Sequence, residues 1–342
     1  PCQLRRTSDK EQDTKEYHHW QRAHATKRHG QTDQTPDQKA VRTILEQTTM
    51  SYPDSIKIVD LMMGIPVSET NQEWYDSFLP LLKDKESIQQ FKMPAQYLFR
   101  DIPQLEATDD YVAFLVGEMD KYNIDIAMVG YFEGSEAAAA AKKNYPDRFI
   151  FDFPVDPNQG MDAVRAIRRA HTEFGISSVS VFPCGCNPQV PIDDRKMWLI
   201  YGTCCELGLP ILVNVGVPGP RIPMAPQKVE LVDEVCYHFP ELKFVMRHGG
   251  EPWDELAIKL MLKWPNLYYS TSAFAPKHYP KSIIRYLNTR GADKVMYAGY
   301  YPQGLSLERI FEDLPNVPIK NDEIWVKFLS DNARQLFELP QT

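Results

Sequence analysis

The sequence contains few cysteines and no long apolar run. Its 342 residues include six Cys, too few for a disulfide framework, and no CxxC pair indicates a zinc ribbon. No apolar stretch approaches the ~18 residues of a membrane span, and no apolar segment of the kind found in secretory signals stands near the first residue. These absences favour a cytoplasmic protein that does not contact a membrane.

Positive charge is also scarce. The chain has 38 Lys and Arg against 46 Asp and Glu, which gives a formal net charge of −8. Binding to nucleic acid needs clustered Lys and Arg, so we expect no nucleic-acid partner. The hydrophobic fraction of 43% and the charged fraction of 25% are those of a folded globular protein.

The first fifty residues differ from the rest of the chain. They carry nine Lys and Arg, seven Asp and Glu and four of the eight His, with few large apolar side chains. This composition predicts a polar, disordered tail over residues 1–50, with a metal- or anion-binding arm as the alternative. The folded domain is predicted over residues 51–342, and we expect the native protein to begin near Met50.

From Ile56 onward, short apolar runs alternate with longer amphipathic stretches. The short runs lack polar alternation, as expected for strands buried on both faces. Eight of them are predicted as strands: Ile56–Met63, Asp125–Phe132, Arg148–Val155, Ile176–Phe182, Pro210–Val215, Lys243–Arg247, Asn266–Ser270 and Lys294–Ala298. Helices are predicted between them, among them Thr108–Tyr122, Ser135–Asn144, Asp156–Glu173, Asp194–Leu207, Pro226–Phe239 and Ser282–Thr289.

This alternation predicts an α/β protein with a parallel sheet. Eight strand–helix units fit a single-domain (β/α)8 TIM barrel, which typically needs ~250 residues. A doubly wound open sheet is the alternative, although the strand-to-helix turns contain neither GxGxxG nor GxxxxGKS/T.

Roughly sixty residues, from Ile65 to Ile124, separate the first two predicted strands. They form an insertion too long for one crossover, with a predicted helix at Trp74–Leu82. A loop after barrel strand 1 lies at the C-terminal face, where active sites occur, so we expect a lid or a dimer contact. A final helix, Asn321–Phe337, is predicted to pack across the barrel.

Two stretches at strand ends carry a family resemblance. Residues 209–216 read Leu-Pro-Ile-Leu-Val-Asn-Val-Gly, and residues 243–253 read Lys-Phe-Val-Met-Arg-His-Gly-Gly-Glu-Pro-Trp. The second stretch is close to the strand-6 pattern of the amidohydrolase superfamily, and a Tyr-Pro pair after strand 8 matches in position. From about Ile56 to Leu339, the chain resembles the branch of aminocarboxymuconate-semialdehyde decarboxylase and resorcylate decarboxylase.

The positions that hold a metal in that family differ in this chain. The family begins with Asp-x-His-x-His, whereas this sequence reads Asp60-Leu-Met-Met-Gly, so Met62 and Gly64 replace two ligands. The resemblance places Asn214 and Tyr300 at the other two ligand positions. A thioether, a missing side chain and an amide are poor zinc ligands. The resemblance therefore implies a degenerate metal site, and we expect no metal and no cofactor.

The strand-6 histidine is present as His248. The resemblance implies that it is the acid/base, and an imidazole suits that role because it titrates near working pH. A structural histidine is the alternative. Asn214 and Tyr300 are predicted to face the lumen and polarise a substrate oxygen, or else to fill the space of the metal.

Cys184 and Cys186 stand at the end of the fourth predicted strand. A thiolate beside a histidine can act as a nucleophile, and two thiols with His248 can hold a soft metal. The alternative is simple packing, because cysteine is among the most buried residue types.

Arginines near the strand ends are candidates for binding a carboxylate, since the guanidinium fork matches its two oxygens. Arg247 alternates with His248 along the strand, so we expect Arg247 to face away from the lumen. A surface ion pair is the alternative role for each arginine. The predicted substrate-binding residues are Arg221, Arg100, Met62, Gly64 and Glu251.

These patterns lead to two hypotheses about function. The first is a decarboxylase- or hydrolase-type enzyme that acts on a small carboxylated or carbonyl compound without the family's metal, with His248 as acid/base. The second is a non-catalytic pseudoenzyme that binds a ligand or a partner subunit. The expected partners are a small-molecule substrate and, from the resemblance, a second copy of the chain in a homodimer.

Overall fold

The computed structural model describes residue 53 and residues 55–66, 79–89, 95–99, 102–103 and 108–341. All of them belong to one unit, Met50–Thr342. The predictions for residues 1–50, for the greater part of the helix at 74–82 and for Arg100 lie outside the described residues.

Eight parallel strands form one sheet in the order β1 to β8. Their edges almost close, because β1 meets the chain after β8 through a parallel bridge between Met63 and Tyr301. The strands are β1 Ile58–Met63, β2 Ile124–Gly130, β3 Phe149–Pro154, β4 Ser178–Val181, β5 Ile211–Asn214, β6 Phe244–Arg247, β7 Leu267–Ser270 and β8 Val295–Met296. The predicted (β/α)8 barrel is confirmed.

Helices follow the strands, and several begin at a polar side chain that caps the first turn. Asp110, Ser135 and Asp194 accept hydrogen bonds from backbone N–H groups of the helices they precede. The α-helices of the described residues are α1 Lys85–Gln89, α2 Tyr111–Lys121, α3 Glu136–Asn144, α4 Met161–Arg169, α5 Arg195–Leu207, α6 Val232–His238, α7 Asp254–Lys263, α8 Lys281–Leu287, α9 Leu307–Asp313, α10 Asp322–Val326 and α11 Asn332–Leu336. None of these helices is long and apolar enough to cross a membrane.

The lumen of the barrel is filled by apolar side chains that alternate along the strands. They form one buried cluster: Val59, Leu61, Ile126, Met128, Ile150, Leu212, Val245, Met296 and Ala298. Ala333 and Leu336 of α11 join this cluster. The C-terminal segment therefore packs across the barrel, as the sequence predicts.

The segment of the insertion around Tyr97 and Phe99 lies at the C-terminal ends of the strands. The Tyr97 hydroxyl donates to the Gly219 carbonyl, 2.7 Å away in the loop after β5. Phe99 stacks on Tyr300, after β8, with ring centroids 5.5 Å apart. The insertion thus reaches the barrel mouth, as expected, and contributes side chains to it.

Candidate active site

Arg247, the last residue of β6, points into the barrel. Its Nε donates to the Asn214 Oδ1 across the β5–β6 pair at 2.7 Å, and its Nη1 lies 4.0 Å from the Met62 sulfur. The expectation that Arg247 faces outward is wrong. Arg247 keeps the alternation of β6, two residues after the inward Val245, so the guanidinium enters the lumen.

Asp152 of β3 provides the counter-charge. Its Oδ2 lies 3.6 Å from Nη1 of Arg247, and both side chains are about nine-tenths buried. Ser178 of β4 donates to the other carboxylate oxygen at 2.8 Å. Burial lowers the pKa of Arg247, while Asp152 and the Tyr300 hydroxyl act in the opposite direction. An arginine remains charged under these conditions because its usual pKa is above 12.

His248 leaves the strand in a left-handed conformation, with φ of 67°. The hydroxyl of Ser272 lies 2.9 Å from its Nδ1 and accepts from its backbone N–H at 3.2 Å. This pair of contacts fixes the ring by one nitrogen. The other nitrogen, Nε2, makes no hydrogen bond to the described residues.

The environment keeps His248 neutral. Burial is the larger cause and the neighbouring Arg247 charge the smaller one, and together they hold the pKa of His248 well below its usual value. A neutral imidazole at neutral pH can accept a proton. The ring also stands edge-to-face to Tyr300, with centroids 5.8 Å apart, so His248, Tyr300 and Phe99 form a continuous aromatic wall.

At three of the four positions that the resemblance assigns to metal ligands, the residue present is a poor ligand for a divalent metal. Gly64 offers no donor atom, and the Gln303 amide lies in the space of a side chain there, with its nitrogen 2.3 Å from where a Cβ atom would lie. The only carbonyl oxygen of the Asn214 side chain is bonded to Arg247. The guanidinium beside Met62 would repel a cation.

Asp60, which opens the altered motif, is fully buried beside the lumen. Its Oδ1 accepts from the backbone N–H groups of Met62 at 2.9 Å and Gly299 at 2.8 Å, and its other oxygen faces the Tyr297 hydroxyl. Burial outweighs these bonds and raises the pKa of Asp60 to about 7. The carboxyl group joins β1 to the end of β8, where the barrel closes.

Cys184 and Cys186 are buried, and their surroundings do not favour a thiolate. Cys184 packs with Leu82 and Ile222, and burial raises its pKa to about 12. Burial, with the nearby Asp156 charge, also raises the pKa of Cys186, whose thiol donates to a backbone carbonyl. Within the part of the chain that the structure describes, no three His, Cys, Asp or Glu side chains come together to hold a metal. This contradicts the alternative of a soft-metal site with His248.

The other predicted substrate-binding residues lie apart from the Arg247 cluster. Arg221 forms ion pairs with Asp84 at 2.9 Å and Glu86 at 2.8 Å and covers the Tyr97 ring, so it fastens the insertion to the loop after β5. Glu251 is exposed by surface area. Partial burial and, after it, the Asp254 charge raise its pKa, and Arg247 is not among the causes.

Several residues of the site are not predicted from the sequence. Asp152 is the single charge in the apolar strand Phe-Ile-Phe-Asp-Phe-Pro, a signal that sequence reasoning could have used. Ser272 and Gln303 stand in ordinary loop sequence after β7 and β8, where nothing in the residue pattern marks their contacts.

A comparison with protein families identifies this architecture. A model of the amidohydrolase family matches residues 55–339. The chain belongs to the amidohydrolase family. At the level of the family, this confirms the expected class of protein, an enzyme of the hydrolase or carboxy-lyase type. No curated protein matches the sequence.

Several solved structures are similar to this amidohydrolase-family chain. An uncharacterised TIM-barrel protein of Bordetella bronchiseptica has a TM-score of 0.62 and 22% identity, over 83% of this chain and 99% of that one. A 5-carboxyvanillate decarboxylase of Novosphingobium aromaticivorans, complexed with manganese and 4-hydroxy-3-methoxy-5-nitrobenzoic acid, has a TM-score of 0.60 and 16% identity, over 84% and 97%. A 2,6-dihydroxybenzoate decarboxylase of Rhizobium has a TM-score of 0.57 and 14% identity, over 83% and 99%. At these identities, the likeness is one of fold.

Proposed function

We propose that this protein is a decarboxylase- or hydrolase-type enzyme for small carboxylated aromatic compounds and that it works without the family's divalent metal. The observation that carries the proposal is the contact between Arg247 and the residues at the family's ligand positions. Nη1 lies 4.0 Å from the Met62 sulfur, and Nε donates to Asn214. A fixed cation is thus already present at the end of the barrel where catalysis takes place in this fold.

His248 is the proposed acid/base. Its neutral ring is held through Nδ1 by Ser272, which leaves Nε2 for a substrate. Asn214 accepts from Arg247 through its oxygen, so its amide N–H groups are available as donors to a substrate oxygen. Tyr300 places its ring edge-to-face to the His248 ring and so borders the same space.

A hydroxybenzoate suits these groups, because its own ring can take up the electrons that decarboxylation releases. His248 takes the phenolic proton and returns it to the ring carbon that carries the carboxylate. The bond to the carboxylate carbon breaks, carbon dioxide leaves, and the electron pair restores the aromatic ring as a phenolate. The phenolate then takes a proton from water, and the remaining hydroxide combines with carbon dioxide to form bicarbonate. Two of the structures similar to this chain are decarboxylases of phenolic acids, which favours decarboxylation over hydrolysis.

The test is release of carbon dioxide from a panel of hydroxybenzoates, with EDTA and then with added Mn²⁺. We expect equal rates in the two conditions. His248→Asn should lower the rate by at least about 100-fold, the usual contribution of general acid–base catalysis. His238→Asn, which changes an exposed histidine on α6, is the matched control and should leave the rate unchanged. Turnover that requires Mn²⁺ or survives His248→Asn would overturn the proposal.

A non-catalytic binding protein is the second candidate function. The observation in its favour is that the Arg247 charge is already paired with Asp152, so the site holds less net positive charge than a metal would supply. Hydroxybenzoates that bind to the wild-type protein and are recovered unchanged after prolonged incubation would decide for this function.

A further inference from the structure

We propose that the guanidinium of Arg247 is the group that binds the substrate carboxylate, from a position between the residues that replace the family's metal ligands. The ligand class is a planar aromatic carboxylate. The inference rests on the proposed function for this choice of ligand, but it concerns binding and not turnover.

The position of the guanidinium is central. The side chain starts at the end of β6, and it contacts Asn214 at the end of β5, Asp152 of β3 and Met62 of β1. A group that contacts strands on opposite sides of a barrel lies across its lumen. Every ligand that enters the mouth far enough to reach Asn214 therefore meets Arg247.

The guanidinium has donors left over. Of its nitrogens, Nε donates to Asn214, and Nη1 faces Asp152 and Met62. Nη2 makes no hydrogen bond to any residue that the structure describes, although only 11% of the side chain is exposed. Unused donors of a charged, nearly buried group favour a ligand with acceptors, and a carboxylate offers two oxygens in the plane of the fork.

Asp152 limits the strength of this site. Its Oδ2 lies 3.6 Å from Nη1, which neutralises part of the charge without a close hydrogen bond. A ligand carboxylate shares the guanidinium with Asp152 and is repelled by it. Removing the Asp152 charge alone should therefore tighten the binding of an acid, which is the opposite of what a merely structural pair would do.

The aromatic wall adds the preference for a flat ligand. Tyr300 stands edge-to-face to His248 and is stacked on Phe99, and its hydroxyl is among the groups that act on Arg247. A ring attached to the bound carboxylate can pack against these rings, as aromatic pairs favour.

The test is calorimetric titration with two probes in EDTA: 4-hydroxy-3-methoxy-5-nitrobenzoic acid and the same phenol without its carboxylate. For the wild type, we expect the acid to bind at least about tenfold more tightly than the phenol. Asp152→Asn should tighten binding of the acid, and Arg247→Gln with Asp152→Asn should make the two probes bind alike. The double variant removes the buried pair as a whole, which avoids an uncompensated charge. Arg168→Gln, in a half-exposed ion pair, is the control and should behave like wild type.

The outcomes separate this inference from the proposed function. Loss of the preference for the acid in the double variant supports the inference even if no turnover is found. An unchanged preference in a double variant whose circular dichroism and melting curve match the wild type overturns it, even if chelator-resistant turnover is found. Preference for the acid that appears only with Mn²⁺ also overturns it.

Discussion

The Nε atom of Arg247 lies 2.7 Å from the Oδ1 atom of Asn214, and this hydrogen bond joins the ends of β5 and β6 inside the barrel. It fixes the direction of the amide, since the oxygen faces the guanidinium and the nitrogen faces away. It also uses one of the two lone pairs on the only side-chain atom of Asn214 that could bind a metal.

Asn214→Leu should destabilise the protein by about 1–3 kcal/mol, because the buried Nε–H loses its acceptor. Asn214→Asp keeps an acceptor at the same place and should unfold within about 1 kcal/mol of wild type. Urea denaturation of the three proteins measures both differences. Equal stabilities for Asn214→Leu and wild type would show that the bond contributes nothing.

The pKa of His248 should be measurable by NMR as a value below 6.5, because burial and Arg247 both oppose its charged form. Below pH 6.5, His248 takes up a proton in the unfolded chain but remains neutral in the folded protein. The free energy of unfolding should therefore fall as the pH drops below 6.5. Arg247→Gln with Asp152→Asn should raise this pKa only partly, because burial remains. The spectrum of His248→Asn assigns the signal. A rise to the ordinary value would show that Arg247, and not burial, is the main cause.

Asp60 should give the opposite pH dependence. Its folded pKa is about 7 against an ordinary value of 3.8, so the folded protein keeps a proton that the unfolded chain has lost. Stability should therefore fall between about pH 4 and pH 7 and level off above. Asp60→Asn keeps the acceptor for Met62 and Gly299 but does not titrate.

As the pH rises from about 4 to about 7, the unfolding free energy of wild type should fall relative to that of Asp60→Asn. The difference should change by up to about 1.4 kcal/mol for each pH unit. Chemical denaturation at pH 4.5, 6 and 8 measures it. Asp162→Asn, at an exposed ion pair on α4, is the control and should show no such trend. A difference that does not depend on pH would mean that Asp60 is ionised throughout.

Gly216 should tolerate alanine far less than Gly134 does. Both have positive φ, 83° and 86°, so each Gly→Ala change carries backbone strain of about 1–2 kcal/mol. At Gly216, a Cβ would also lie 2.7 Å from the Gly250 carbonyl carbon, whereas at Gly134 it meets no atom within 4 Å. Thermal unfolding should show Gly216→Ala as the less stable by at least about 2 kcal/mol. Similar losses would mean that the loops after β5 and β6 separate easily.

Cys184 and Cys186 should be alkylated more slowly than Cys205 in the native protein. They are buried and Cys205 is half-buried, and only a small fraction of Cys184 is a thiolate at pH 8, because its pKa is about 12. Brief treatment with iodoacetamide, followed by peptide mass spectrometry, gives the order in which the three cysteines are labelled. Labelling of Cys184 or Cys186 ahead of Cys205 would revive the nucleophile hypothesis.

The barrel is predictable from the sequence because its strands are buried on both faces. Predicted runs such as Lys243–Arg247 and Asn266–Ser270 match β6 and β7 to within a residue at each end. The helix predicted at Pro226–Phe239 is less accurate, since α6 begins only at Val232, after two short 3-10 turns. Local propensity does not distinguish such turns from a first helical turn.

The candidate site is predictable only in part. His248 was found because its Gly-Gly-x-Pro-Trp surroundings are specific. Alternation continued through His248 puts Arg247 on the wrong face, because the strand ends at Arg247 and His248 has a positive φ. The pairing of Arg247 with Asp152 joins residues 95 positions apart, and the filling of the Gly64 space by Gln303 depends on side-chain direction. The lone charge of Asp152 is visible in the sequence, but its partner is not, and nothing in the sequence marks the place of the Gln303 side chain.

The positive charge inside this barrel is covalently part of the chain. A guanidinium is present once in every folded molecule, does not exchange with solvent ions, and stays charged at any pH at which the fold survives. Under the proposed metal-free function, the supply of transition metals would therefore not limit the charge at this site. A guanidinium is also less versatile than a metal ion. It has no vacant orbital, so it can stabilise an anion only by charge and hydrogen bonds.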